Sequence, residues 1–208
     1  LSYISLAVAA AFAVGDASAA QNIWASGASA PTRAEYNAFV SNCGATHTIY
    51  MSGTSSSITS ASRPGDASTG NFFMYSCTID GAKTATFNTW DGQVVNFFHT
   101  VDGGSFVAFQ PHLPVPTATK RITDALTGCT LVGTAGGVTV YKSCATTTAS
   151  NSARPDVGFS DVEDDLWPTI NQGFNFAHLS ANVSQAFGVA VTEAAYRAMQ
   201  THQDLTTA

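Results

Sequence analysis

Pro155-Asp156-Val157-Gly158-Phe159-Ser160-Asp161-Val162-Glu163-Asp164-Asp165 reads as a short buried-type strand that runs into Ser-Asp and then into an acidic helix start. A sheet that ends a strand in this way presents a hydroxyl and a carboxylate at its carboxyl edge, where open α/β sheets bind their ligands. Two other stretches have the same character. Ser26-Gly27-Ala28-Ser29-Ala30-Pro31 follows a strand-like segment at 22–25, and Asp102-Gly103-Gly104-Ser105 follows the apolar run 93–100. Three small-residue loops, each behind a strand, predict one polar site at a sheet edge, and a binding protein more than an enzyme.

Working outward, Pro31 suits the first position of a helix. Residues 32–42 continue with Tyr36, Phe39 and Val40 at helical spacing, and Asn42-Cys43-Gly44 ends the helix. A further strand is expected at 48–51, then a Ser/Thr/Gly-rich stretch at 53–70 that is a loop or a poorly marked helix. The runs 71–77 (Phe72, Phe73, Met74, Tyr75) and 93–100 (Val94, Val95, Phe97, Phe98) are continuously apolar, as in strands buried on both faces, and belong in the middle of a sheet. Residues 120–127 suggest a short helix, 130–141 a Gly-turned hairpin, and 187–191 a buried strand followed by a helix at 192–199 capped by Thr192. Strands alternating with helices, broken by one hairpin, indicate an α/β fold: a three-layer sandwich with a mixed sheet.

Residues 1–20 hold an apolar run at 4–14 followed by Asp16-Ala17-Ser18-Ala19-Ala20, the small-residue pattern of an export signal, here incomplete at its front. The run is shorter than the roughly 20 residues a membrane span needs, so no membrane span is expected in the mature chain, and a periplasmic or secreted location follows. Charged residues make up 11% of the sequence, below the usual quarter or so, and the net charge is −6 with eight scattered Lys and Arg. That balance argues against a nucleic-acid partner and requires any anion to be held by directed hydrogen bonds. Four cysteines, Cys43, Cys77, Cys129 and Cys144, form an even set behind an export signal, which predicts two disulfides. Of the three pairings, Cys129 with Cys144 closes the hairpin most easily, and Cys43 with Cys77 follows by elimination. The absence of any Cys-x-x-Cys or His-x-x-x-His spacing argues against a metal site, and no cofactor is implied.

The order strand, Gly27-Ala28-Ser29-Ala30-Pro31, helix, then Gly103-Gly104-Ser105, then Gly158-Phe159-Ser160-Asp161, then Gly188-Val189-Ala190-Val191 before a helix resembles the phosphate-binding branch of the type II periplasmic solute-binding proteins, the receptors of ABC importers. The resemblance covers anchors from Asn22 to about Gln200, with 44–90 and 106–153 longer than the family's connections. It implies that 21–208 is a solute-binding-protein-like domain incomplete at its C-terminus, with the first lobe largely present and the second mostly missing. It also implies a small oxyanion as ligand and an ABC permease as partner. Ser29 stands where the family has a ligand-binding Thr, and Ser26, Ala28, Ala30, Gly104, Ser105, Ser160 and Asp161 complete the implied ligand set.

The chemistry of these residue types agrees. A tetrahedral oxyanion needs many directed donors, which the N–H groups at a helix N-terminus supply. Ser29 and Ser105 add hydroxyls, and Gly103-Gly104 allows close backbone approach. A carboxylate only accepts, so Asp161 favours a ligand that still carries a proton, such as hydrogen phosphate, over sulfate, with Ser160 holding Asp161 or donating to the ligand. The same residues also suit ordinary duties: a helix entry at Ser29, a turn at Gly103-Gly104-Ser105, an N-cap at Asp161. Two alternatives therefore stand beside the receptor reading. One is a secreted structural or adhesive domain on the same scaffold without a ligand. The other is a secreted serine hydrolase, for which His99, Asp102 and Ser105 supply the three residue types but crowd them on one strand and turn, and which lacks a Gly-x-Ser-x-Gly elbow. No catalytic residue is assigned. Glu163, Asp164 and Asp165 match the acidic first turn of a helix rather than calcium spacing, while Trp167 and Phe174 are candidates to line a pocket for a sugar or other organic solute.

Overall fold

In the computed structural model the described residues are 20–83, 88–109, 119–148 and 154–161. All of them belong to one compact unit. Residues 1–19 of the expected export signal, the segments at 84–87, 110–118 and 149–153, and everything from 162 onward, including Glu163, Asp164, Asp165, Trp167, Phe174, the strand expected at 187–191 and the helix expected at 192–199, lie outside them.

The described chain builds β1 (Gln21–Gly27), α1 (Thr32–Val40), β2 (Cys43–Met51), β3 (Phe72–Ile79), β4 (Val94–Thr100), β5 (Thr130–Ala135), β6 (Val138–Lys142) and β7 (Val157–Phe159). The seven strands form one sheet in the order β5-β6-β2-β3-β4-β1-β7. It is mixed: β4, β1 and β7 run parallel, as do β2 and β6, while β3 and β5 run against their neighbours. The two apolar runs, β3 and β4, are central neighbours, as their composition requires.

One face is closed by α1. Thr32, Tyr36 and Phe39 recur at helical spacing and are buried, placing rings against Tyr75 and Phe97. The core on that side comprises Ile49, Met51, Phe73, Tyr75, Val95 and Val140 among others. The far face has a smaller cluster of Trp24, Met74, Phe98, Ile122 and Cys144. Each face has its own disulfide: Cys43–Cys77 joins β2 to β3 on the helix side, and Cys129–Cys144 closes the β5–β6 hairpin on the other. The hairpin turns on Gly136 and Gly137, both at positive φ.

Several boundaries differ from expectation. Residues 120–127 form no helix; they make turns and a single bridge from Ile122 to Thr146, because Arg121 and Ile122 are drawn onto the far face beside Trp24 and Phe98. The helix ends at Val40, two residues early, and β2 begins at once with Cys43, which its disulfide ties to β3. Residues 53–70 are loop, with Gly53 and Gly70 packed against backbone. With one α-helix among the described residues, the mixed sheet is clear and the helical layers are sparser than a strand-helix alternation requires. No helix among the described residues is long and apolar enough to cross a membrane.

Candidate functional site

The parallel trio β4-β1-β7 sends three chain segments out at the same edge. Register fixes this: Ser26 lies beside Thr100 on one side and Gly158 on the other, and Gly27 lies beside Phe159. β7 is held to β1 by Asp156, whose carboxylate accepts the Trp24 N–H (2.8 Å) while its own N–H donates to the Trp24 carbonyl (2.8 Å). The loops predicted to meet therefore do leave the sheet side by side.

At two places only glycine fits. Gly27, at φ +142°, leaves room for the Phe159 carbonyl, which would sit 1.8 Å from a Cβ there. That carbonyl accepts the Ala28 N–H at 2.7 Å. Gly158 lies against the carbonyl of Ala108, 2.1 Å from where its Cβ would stand. The loop after β4 thereby packs onto β7 through the 3-10 helix Gly104–Ala108.

The expected ligand residues divide into two groups. Ser26 is the penultimate residue of β1, not the start of a loop; it is fully buried and its Oγ donates to the Val107 carbonyl at 2.6 Å. Ala28 is buried and its N–H is engaged by Phe159. Both fasten the edge together. The others face outward. Ser29 is exposed, with its carbonyl accepting the Thr32 N–H, and Ala30 is half-buried in the same turn. Gly104, at φ +63°, donates its N–H to the Val101 carbonyl and opens the 3-10 helix. Ser105 Oγ donates directly to the exposed Asp161 carboxylate, which ties the loop after β4 to the end of β7, next to the exposed Ser160.

Beside them stands the N-terminus of α1. Pro31 occupies the N-cap, one residue earlier than expected, and makes no side-chain cap. The first-turn N–H groups of Arg33 and Ala34 have no intrahelical acceptor, which leaves positive dipole potential at this edge. Arg33 adds a cation, held by Asp66 of the 53–70 loop.

A Ser-His-Asp relay is not what this edge assembles. Ser105 Oγ is directed to Asp161, Asp102 accepts from Asn71 at 3.4 Å, and His99 points into the protein. His99 Nδ1 lies 2.9 Å from Glu35 Oε2, both side chains almost fully buried between β4 and α1. The two atoms face each other without an aligned hydrogen bond, and Tyr75 OH and Thr32 Oγ1 are likewise buried without a partner. Burial, reinforced by the Glu35 carboxylate and Tyr36, pushes the Tyr75 phenol well above its ordinary range. Sequence reading placed His99 on an apolar strand but missed its partner. The signal was there: Glu35 sits between Thr32 and Tyr36–Phe39 on the stripe that faces the sheet.

Among the described residues no cluster of three or more metal-ligating side chains occurs. Comparison with protein-family models, with curated proteins and with solved structures finds no match.

Proposed function

We propose that the carboxyl edge of β4, β1 and β7 binds a small oxyanion that retains a proton, hydrogen phosphate being the type, and that the chain is an extracytoplasmic solute-binding protein of the type II class, passing its ligand to an ABC permease. It carries out no covalent chemistry. The observation on which this rests is the Ser105–Asp161 contact, which joins the loops after β4 and β7 beside the uncapped start of α1. Donors come from the helix start and from Ser29, and the acceptor is Asp161, so the ligand must offer both oxygens and a proton. The two disulfides suit a chain that folds in an oxidising compartment.

One observation favours the second reading, a secreted scaffold without ligand: Ser26 Oγ and the Ala28 N–H, both expected at the anion, are used up inside the protein. Calorimetric titration of phosphate, with sulfate as control, separates the two. Phosphate binding with little sulfate binding is expected, and Asp161→Asn should narrow the gap between the two anions. No heat from either anion would leave the ligand-free scaffold in its place.

A further inference from the structure

The strand register sorts the side chains of the far face into two rows. Reading across β5-β6-β2-β3-β4-β1, one row is Thr134, Thr139, Thr48, Ser76, Asn96 and Asn22, all polar and none charged. The neighbouring row, two residues along each of these strands except β5, where a register shift intervenes, is Leu131, Tyr141, Tyr50, Met74, Phe98 and Trp24, all apolar or aromatic. Strands lie about 4.8 Å apart, so hydrogen-bonding groups recur at that interval; in the apolar row beside them Trp24, Met74 and Phe98 are buried, Tyr50 and Tyr141 are half-buried and Leu131 is exposed.

The polar row is internally bonded in a directed way. Ser76 Oγ donates to Asn96 Oδ1 at 2.7 Å, Asn96 Nδ2 donates to Asn22 Oδ1 at 3.0 Å, and the hydroxyls of Thr134 and Thr139 meet at 3.1 Å. An amide has two donors and two acceptor positions, so Asn96 and Asn22 retain hydrogen-bonding capacity beyond these contacts. At this end of the row the surface is concave: a groove of about 330 Å³ is lined by Asn22, Asn96, Ser76, Tyr50, Phe98 and Asp124 among others. That volume falls within the range of small-molecule sites, roughly 300–1,000 Å³.

The walls specify a class of ligand. Tyr50 stacks on Tyr141 at 5.0 Å with 14° between the rings, which fixes a flat aromatic surface beside the groove. Arg121 lies 4.5 Å over the Phe98 ring and engages both carboxylate oxygens of Asp124. The Arg121 hydrogen bond is the main reason the Asp124 carboxyl is held below its ordinary range. The one charged group lining the groove is therefore already neutralised by a partner, and the rest of its polar lining is amide and hydroxyl. The half-buried Tyr50 ring next to an uncharged row of donors and acceptors matches a molecule with an apolar ring face and hydroxyls around its rim.

We infer that the far face of the sheet is a second binding site, for an uncharged sugar, with the sugar ring on the Tyr50 side of the groove and its hydroxyls on Asn22, Asn96 and Ser76. It is separate from the edge proposed for the oxyanion, lies on other side chains and stands whether or not that edge binds anything.

The test is an NMR titration of the isotope-labelled, disulfide-intact full chain with cellobiose, maltose, mannobiose and lactose, and with inorganic phosphate as the control. At least one disaccharide should move the side-chain amide signals of Asn22 and Asn96, and phosphate should not. Asn96→Ala and Tyr50→Ala should each weaken that binding about tenfold, the loss expected for one or two hydrogen bonds or a ring contact. Ser105→Ala, at the other site, should leave it unchanged. Ser76→Ala is the gentler variant should either of the first two unfold, and several-fold weakening is expected there. The inference is overturned if none of the four disaccharides moves those signals, or if the shifts persist with unchanged affinity in Asn96→Ala, Tyr50→Ala and Ser76→Ala.

Discussion

The two faces of this sheet solve the problem of a low-charge chain in opposite ways. Under α1 the side chains are buried almost without interruption, and an ionisable pair, Glu35 with His99, is sealed in with them. On the far face, polar and apolar residues are sorted into neighbouring rows, and the polar ones bond to one another across strands. Both faces derive from the same period-two alternation. The difference shows what the alternation leaves open: it assigns a residue to a face, and the element laid over that face decides whether a polar group there is a cost or a resource.

The largest contrast should come from breaking the Glu35–His99 contact. Glu35→Leu leaves an imidazole buried without a facing carboxylate, and His99→Leu leaves the carboxylate stranded; each should cost about 3–5 kcal/mol of unfolding free energy in a denaturant titration. The double variant should recover most of that loss, because an apolar pair of similar volume suits the cluster around Phe73. Additive losses in the double variant would mean that the two residues are held by packing alone and not by each other.

Next come the disulfides, one for each face. Cys43–Cys77 closes a separation of 34 residues and Cys129–Cys144 one of 15. Loop-closure entropy assigns them about 3.8 and about 3 kcal/mol, a difference in the order of the loop lengths. Paired Cys→Ala variants compared by thermal unfolding should therefore lose more stability at the helix-side bridge. The reverse order would place the greater burden on the hairpin and on the far-face cluster that Cys144 joins.

Much of this architecture was legible in the residues. The apolar runs of β3 and β4 had to be central, Pro31 marked the helix entry, and Gly136-Gly137 between two Thr- and Val-rich runs marked the hairpin. The three segments that leave the sheet side by side at the β4-β1-β7 edge were legible for the same reason, since each is a run of small residues directly behind a strand. What escaped was tertiary in origin. Ser26 is the same residue type as Ser29, and only the 3-10 helix after β4, packed close because position 158 is glycine, takes its hydroxyl out of the site. Residues 120–127 have helix-compatible composition, but Ile122 and Arg121 gain more by lying on Phe98 and Trp24 than a short isolated helix would gain by forming. The far-face rows depend on register across six strands, which alternation within any one strand does not contain.

The smallest effect expected is a pH dependence confined to the helix face. Tyr36 OH and His47 Nε2 lie 2.6 Å apart, a contact in which a neutral ring with its proton on Nδ1 accepts from the phenol. Burial first, and then the Arg63 guanidinium, holds His47 below its ordinary value of 6.5. The unfolded chain therefore takes up a proton at this residue near pH 6.5, and the folded chain only at lower pH. Between those two points the unfolded state binds more protons, so stability rises with pH through this window and is lost as the pH falls below about 6.5. His47 is only half-buried, so solvent screening keeps the effect small, a shallow decline in melting temperature as the pH falls below about 6.5. His47→Gln, which keeps an acceptor for Tyr36, should flatten that part of the curve relative to the parent. An unchanged slope would assign the dependence to another group.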